Sequence, residues 1–224
     1  MRRMRFFIFL WLAVCAGCAS SSVTTVQDET IALSGINSVA SMPFVKARRC
    51  DGAVSGENAV LDCRLSALKF FPEFYSPGAE QEISYALHEE LEKKYGSALK
   101  GYEASAAVFK VLSQDQPDST LRSLSSVFAR KRGAEYVFIG VLENYIERKG
   151  STGGIDSPAS VSFSLYLVQA STGAVVFEGS FNETQQSLSE NVFKARLFFK
   201  RGARWLSAEE LAREGLVRII ADLQ

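Results

Sequence analysis

The sequence has a single histidine, His88, in 224 residues. That scarcity excludes most Ser-His and Cys-His nucleophilic schemes, in which an imidazole must sit beside the nucleophile. Phosphate-cradling and esterase signatures are also missing: there is no Walker A run and no G-x-S-x-G. Cysteines number four; the single C-x-x-C, Cys15-Ala16-Gly17-Cys18, directly follows an apolar run, Cys50 and Cys63 stand twelve residues apart, and no His/Cys spacing of a metal site is present. Basic excess is absent as well. The formal charge is zero, and removing residues 1–17, which hold Arg2, Arg3 and Arg5 and no acids, leaves 22 basic against 25 acidic residues. A weakly acidic chain argues against sequence-independent nucleic-acid binding, which relies on clustered Lys and Arg. No apolar run is long enough to span a bilayer as a permanent helix, since the longest, Phe6 to Val14, has nine residues.

What is present begins with that run. Met1 to Arg5 carry positive charge, Phe6 to Val14 are apolar, and Cys15-Ala16-Gly17-Cys18 close the segment with small residues. This is the order of a secretory signal. The ending resembles the lipobox of bacterial lipoproteins, which implies cleavage after residue 17 and acylation of Cys18 with chains such as palmitate. Cys15 stands where Leu is usual, and the competing frame, Leu12 to Cys15, places bulky Val14 at the cleavage point. Several acyl chains anchor stably, because each buried methylene contributes about 0.8 kcal/mol. Ala19, in place of the Asp that resembles an inner-membrane retention signal, points to an outer-membrane lipoprotein facing the periplasm. Residues 1–17 are therefore expected as the signal, 18–34 as lipidated Cys18 with a polar flexible tether, and 35–224 as one periplasmic domain.

The remaining cysteines, Cys50 and Cys63, bracket twelve residues of mixed polarity that read as a surface loop. In an oxidising compartment such a pair most often forms a disulfide. A metal or redox role is the alternative, and it wants two more ligands.

Periodicity supplies the elements. Ile36 to Ala47 is apolar and β-prone. Arg64 to Tyr75 is aromatic (Phe70, Phe71, Phe74, Tyr75) and is expected to pack on the domain. Pro77 opens a helix to about Tyr95, with Ile83, Leu87 and Leu91 every fourth residue and Gly96 at its end. Ser105 to Leu112 suggests a short helix. Thr120 to Arg132 suggests another, with Arg130, Lys131 and Arg132 favourable at its C-terminus. Glu135 to Arg148 reads as a strand buried at its start and exposed at its end. Lys149 to Pro158 reads as a Gly/Ser loop, with Gly153-Gly154 as turn residues rather than a phosphate cradle. Val161 to Val168 and Ala174 to Thr184 form a hairpin about Ser171-Thr172-Gly173. Two S-x-x-E capping boxes, Ser187/Glu190 and Ser207/Glu210, predict helices near 188–200 and 207–222. Glu89, Glu90 and Glu92 are expected on a solvated helix face.

The fold class expected is α/β (α+β): a mixed sheet with an antiparallel meander and flanking helices. Gly133-Ala134-Glu135-Tyr136-Val137-Phe138-Ile139-Gly140, the Leu165-to-Val176 hairpin and Met42-Pro43-Phe44 together resemble passages of the TolB amino-terminal domain and the CsgG-like lipoproteins. The resemblance implies that anticodon-binding-like core and a lipid anchor. It does not extend to the CsgG pore, because residues 147–160 and 184–204 are too short and too polar or helix-like for membrane strands of roughly 9–11 alternating residues. LpoB-like lipoproteins share this fold and activate peptidoglycan synthases.

No catalytic set, metal site or cofactor site emerges, and the chain is expected not to be an enzyme. The cluster that suits a partner is Phe198, Phe199, Arg201, Arg204 and Trp205, with Lys200 among them, since aromatic residues and Arg are favoured interface anchors. The structural alternative is a connector with rings in the core and cations in water. The expected role is an adapter or assembly factor that binds another envelope protein. The alternative is an oligomeric component of a transport or secretion system.

Overall fold

A computed structural model describes residues 22–27, 35–52, 56, 58–151, 154–185 and 205–223. Its centre is a mixed sheet, whose order is settled by register. β6 (Tyr136–Ile146), β9 (Ser160–Gln169) and β10 (Val175–Thr184) make the expected antiparallel meander. On the far side of β6 run β2 (Val39–Ser41) and β3 (Val45–Lys46), both parallel to it. Met42-Pro43-Phe44 interrupts what reads in sequence as one strand, because Pro43 has no amide to donate. β1 (Ser22–Gln27) closes the other edge, antiparallel to β10 with Ser22 opposite Asn182. These six residues fall in the stretch expected as a tether. A polar Ser/Thr/Val segment has no apolar pattern of its own, and here β10 supplies the ladder that makes it a strand.

Two helix layers cover the sheet. α1 (Ala79–Tyr95) and α4 (Ala208–Ala221) pack on one face. There Ile83, Leu87, Leu91, Leu211, Leu216 and Ile219 meet Phe138, Phe163, Phe177 and Phe181 in the larger core. α2 (Tyr102–Asp115) and α3 (Leu121–Arg132) lie on the other, where Leu112, Leu124 and Phe128 meet Val137, Ile139, Val141, Tyr166 and Val168. α2 extends beyond the expected Ser105-to-Leu112 span. Both capping motifs that can be seen work reciprocally: Ser207 with Glu210 on α4, and Thr120 with Ser123 on α3. The helix expected near 188–200 lies outside the described residues.

A close approach explains one glycine of the motifs and a left-handed helix stop explains the other. A Cβ on Gly140 would stand 2.5 Å from the ring of Phe44, and one on Gly133 would be forced into a left-handed conformation at φ 62°. Phe44 of the Met-Pro-Phe passage thus packs on Gly140, the last residue of the Gly133-to-Gly140 passage.

Three expectations are corrected. β6 stays buried almost to its end, at Asn144 and Tyr145, because a bulge after Leu142 turns both side chains back under neighbouring segments. Residues of the expected loop 149–158 pair as a short ribbon, β7 (Lys149–Ser151) with β8 (Gly154–Ser157). Glu90 is nearly buried rather than solvated, because α4 packs along α1: Lys93 lies 2.6 Å from its carboxylate and Arg213, which also pairs with Glu89, lies 3.8 Å away.

Candidate functional surfaces

Cys50 and Cys63 form a disulfide, with Cα atoms 5.9 Å apart. The bridged loop is less superficial than expected. Its 3-10 turn Ala59–Asp62 drives Leu61 completely into the core beneath α3, and Arg122 fastens the turn by a bidentate pair with Asp62 at 2.7 and 3.0 Å. Cys50 also lies in β4 (Arg49–Cys50), paired with β5 (Leu68–Lys69). The disulfide therefore holds a small ribbon beside the C-terminal half of β6.

That ribbon carries a basic-aromatic surface. Arg48 lies with its guanidinium carbon 3.7 Å from the ring centre of Phe74. The Lys46 ammonium sits 5.5 Å from Phe70 and 5.7 Å from Tyr75, and Arg49 sits 5.9 Å from Phe71. Each is within the reach of a cation–π contact. Phe70 is 49% exposed and Phe71 37%, against the expectation that this segment packs inward. The short 3-10 turn Pro72–Phe74 is anchored instead by Tyr75, which bridges to Tyr145 and donates its hydroxyl to the Leu142 carbonyl at 3.0 Å. Burial pushes the Tyr75 phenol up to about 12, with the Arg48 cation opposing and Glu143 adding to the shift.

Beside this surface the sheet is left open. α3 and the disulfide loop cover only part of their face, and β9 and β10 continue past them with short polar side chains. A cleft of about 460 Å³ results, lined by Arg48, Phe74, Glu143, Asn144, Ser162 and Asn182 among others. Both oxygens of Glu143 accept from serines, Ser162 at 2.6 Å and Ser164 at 2.9 Å. Asn144 donates to Ser160 at 2.7 Å, and Ser160 in turn meets Thr184 at 2.7 Å. The side-chain amide oxygens of Asn144 (Oδ1) and Gln185 (Oε1) are buried with no hydrogen-bond partner among the described residues. The arrangement offers hydroxyls, amides and one guanidinium for hydrogen bonding. Glu143 is committed to its two serines.

Of the residues singled out in sequence, Cys50 and Cys63 come together as expected. Trp205 is half-buried beside the core residue Leu206, just before α4. Cys18, Phe198, Phe199, Arg201 and Arg204 lie outside the described residues. His88 stacks near Tyr102 at 5.6 Å, and burial holds its imidazole below the ordinary range. Among the described residues no three His, Cys, Asp or Glu side chains gather to hold a metal. Arg48, Phe70, Phe71 and Glu143 escaped sequence reasoning as a surface. The signal was Lys46-x-Arg48-Arg49 facing Lys69-Phe70-Phe71, two short basic or aromatic runs that only the ribbon brings together.

No protein-family model matches the chain, and no curated protein sequence matches it. Solved structures do. A point variant of the PelC dodecamer from Paraburkholderia phytofirmans aligns over 91% of this chain and 98% of its own, with 15% identity and a TM-score of 0.50. The chain is similar in fold to PelC. Lipoprotein GNA1162 from Neisseria meningitidis aligns over 75% of this chain and 99% of its own, at 11% identity and a TM-score of 0.38. Escherichia coli LpoB aligns over 66% and 57%, at 14% and 0.36.

Proposed function

We propose that this chain is a lipid-anchored envelope lipoprotein, held to the outer membrane through Cys18 and facing the periplasm, that works as an adapter by protein contacts rather than as an enzyme. The observation that carries the protein contact is the edge strand β1. Its sequence, Ser-Val-Thr-Thr-Val-Gln, holds no charge and no proline, and Val26 is 69% exposed. Natural sheets guard such edges with lysine, proline or a bulge, because a free ladder recruits another strand. Here only one side of β1 is paired among the described residues. A partner strand added there would lie beside β1, on the side away from β10, with backbone hydrogen bonds giving affinity and side chains giving selectivity.

A second reading, self-assembly, is favoured by the same edge together with the fold likeness to a dodecameric protein. LpoB-like and GNA1162-like lipoprotein folds among the neighbours suit the envelope setting, as do the TolB-like and CsgG-like motifs of the sequence. Crosslinking the tagged lipoprotein in living cells separates the readings. One dominant envelope protein, lost on Val26→Lys, supports the adapter. A ladder of self-crosslinks lost on the same change supports an oligomer. Crosslinks indifferent to Val26 and Thr24 reject the edge as the contact.

A further inference from the structure

The register of β1 places one end of the sheet against the membrane, an inference that rests on acylation of Cys18. From Cys18 to Ser22 there are four residue steps, which reach about 14 Å at most. β6, with eleven residues, is about 36 Å long at 3.3 Å per residue. The tether is thus less than half the length of the sheet, and the Ser22 end must stay close to the bilayer while the opposite end need not.

Pairing shows what lies at that end. Ser22 is opposite Asn182, and Asn182 shares its cleft with Arg48 and Phe74. The C-terminal half of β6, the start of β9 and the ribbon with Phe70 and Phe71 gather there. So does the start of α4, since the Ala208 amide donates to Glu147, one residue past β6, at 2.9 Å. Turn residues Ser171 to Gly173 and the helix stop Gly133 lie at the other end.

We propose that the Ser22 end docks directly on the phospholipid bilayer that holds the Cys18 lipid, with Phe70 and Phe71 at the headgroup–acyl boundary. The chemistry fits that occupant. Exposed Phe rings gain by burial as apolar groups at the headgroup–acyl boundary. The neighbouring cations can keep their charge in the headgroups while their stems lie along apolar surface. Lys46 is balanced by Glu80 at 2.8 Å and Arg49 by Asp51 at 2.9 Å. Arg48 and Lys69 have no ion pair among the described residues and are left for anionic headgroups, with exposed Glu73 the opposing charge. Docking leaves the far end and most of the β1 edge clear for a protein.

The test uses the full-length lipidated protein in vesicles of phosphatidylethanolamine and phosphatidylglycerol with brominated acyl chains, which quench tryptophan by contact. Phe71→Trp reports the docking end and Ser171→Trp the far end, each read against the wild-type chain, in which Trp205 is the tryptophan left after signal cleavage. The expected result is quenching of the Phe71→Trp signal severalfold beyond that of Ser171→Trp. Equal quenching at the two ends, or none at Phe71→Trp, overturns the docking. So does a Phe71 that crosslinks to an envelope protein in cells yet stays unquenched in vesicles, which makes the patch a protein interface. Mass spectrometry of the wild-type N-terminal peptide decides the anchor separately: if Cys18 carries no acyl chains the lipid anchor fails, and if Cys18 is acylated while Phe71→Trp stays unquenched only the docking fails.

Discussion

Single residues decide how tightly this domain is specified. The Phe44 ring lies where a Cβ on Gly140 would be, so Gly140→Ala overpacks the core at the contact between β3 and β6. A loss of about 1–3 kcal/mol is expected by chemical denaturation, partly recovered when Phe44 is shortened to Leu in the same chain. Reducing the Cys50–Cys63 link, or replacing both residues by Ala, is expected to cost about 3 kcal/mol through the freed loop. A change near zero in the same denaturation would show that Leu61 and the Arg122–Asp62 pair hold the turn without it. Tyrosines set an alkaline limit. Burial pushes Tyr75, Tyr95 and Tyr166 up to about 12, and pushes Tyr145 up further with Glu82 accepting its hydroxyl. The unfolded phenols ionise near 10, so between 10 and 12 the unfolded chain loses protons that the folded one keeps. Stability is therefore intact below pH 10 and falls as pH rises toward 12. Phenolate absorbance measured beside circular dichroism should show ionisation of these rings coinciding with unfolding.

At the scale of elements, legibility followed burial and local chemistry. α1 was readable because Ile83, Leu87 and Leu91 repeat at the helical period, and α4 because Ser207 and Glu210 mark its start. Ser207→Ala should cost about 1 kcal/mol in thermal or denaturant unfolding. The β9–β10 hairpin was readable from alternation around Ser171-Thr172-Gly173. β1 was not, because a short polar segment acquires its strand state from β10 and carries no pattern of its own. Nor was the reach of burial along β6, since a bulge shifts the alternation by one residue and changes which face Asn144 and Tyr145 occupy. The candidate surface failed to show for a related reason. Phe70 and Phe71 look like core in a linear reading, and only the β4–β5 ribbon turns them outward beside Arg48 and Arg49. For the edge itself, Val26→Lys should leave stability within about 0.5 kcal/mol, because the side chain is exposed. It should also abolish strand-mediated association, as read by sedimentation and in-cell crosslinking.

For the whole molecule, the proposed docking would orient the domain. With the proposed anchor and docking, the aromatic and basic end and the β1 edge, paired on one side among the described residues, would divide the surface into a side for lipid and a side for protein. The sequence by itself determined α1, α3, α4 and the β9–β10 hairpin, the pairing of Cys50 with Cys63, and the mixed α/β class. These rest on contacts close in the chain or on counts of residue types, which a linear reading sees. Tertiary structure decided that residues 22–27 complete the sheet, that Glu90 is buried against α4, and that Arg48, Phe74, Glu143 and Asn182 share one cleft. Those facts depend on which strands lie side by side, and register between distant segments is set by the packed core as a whole.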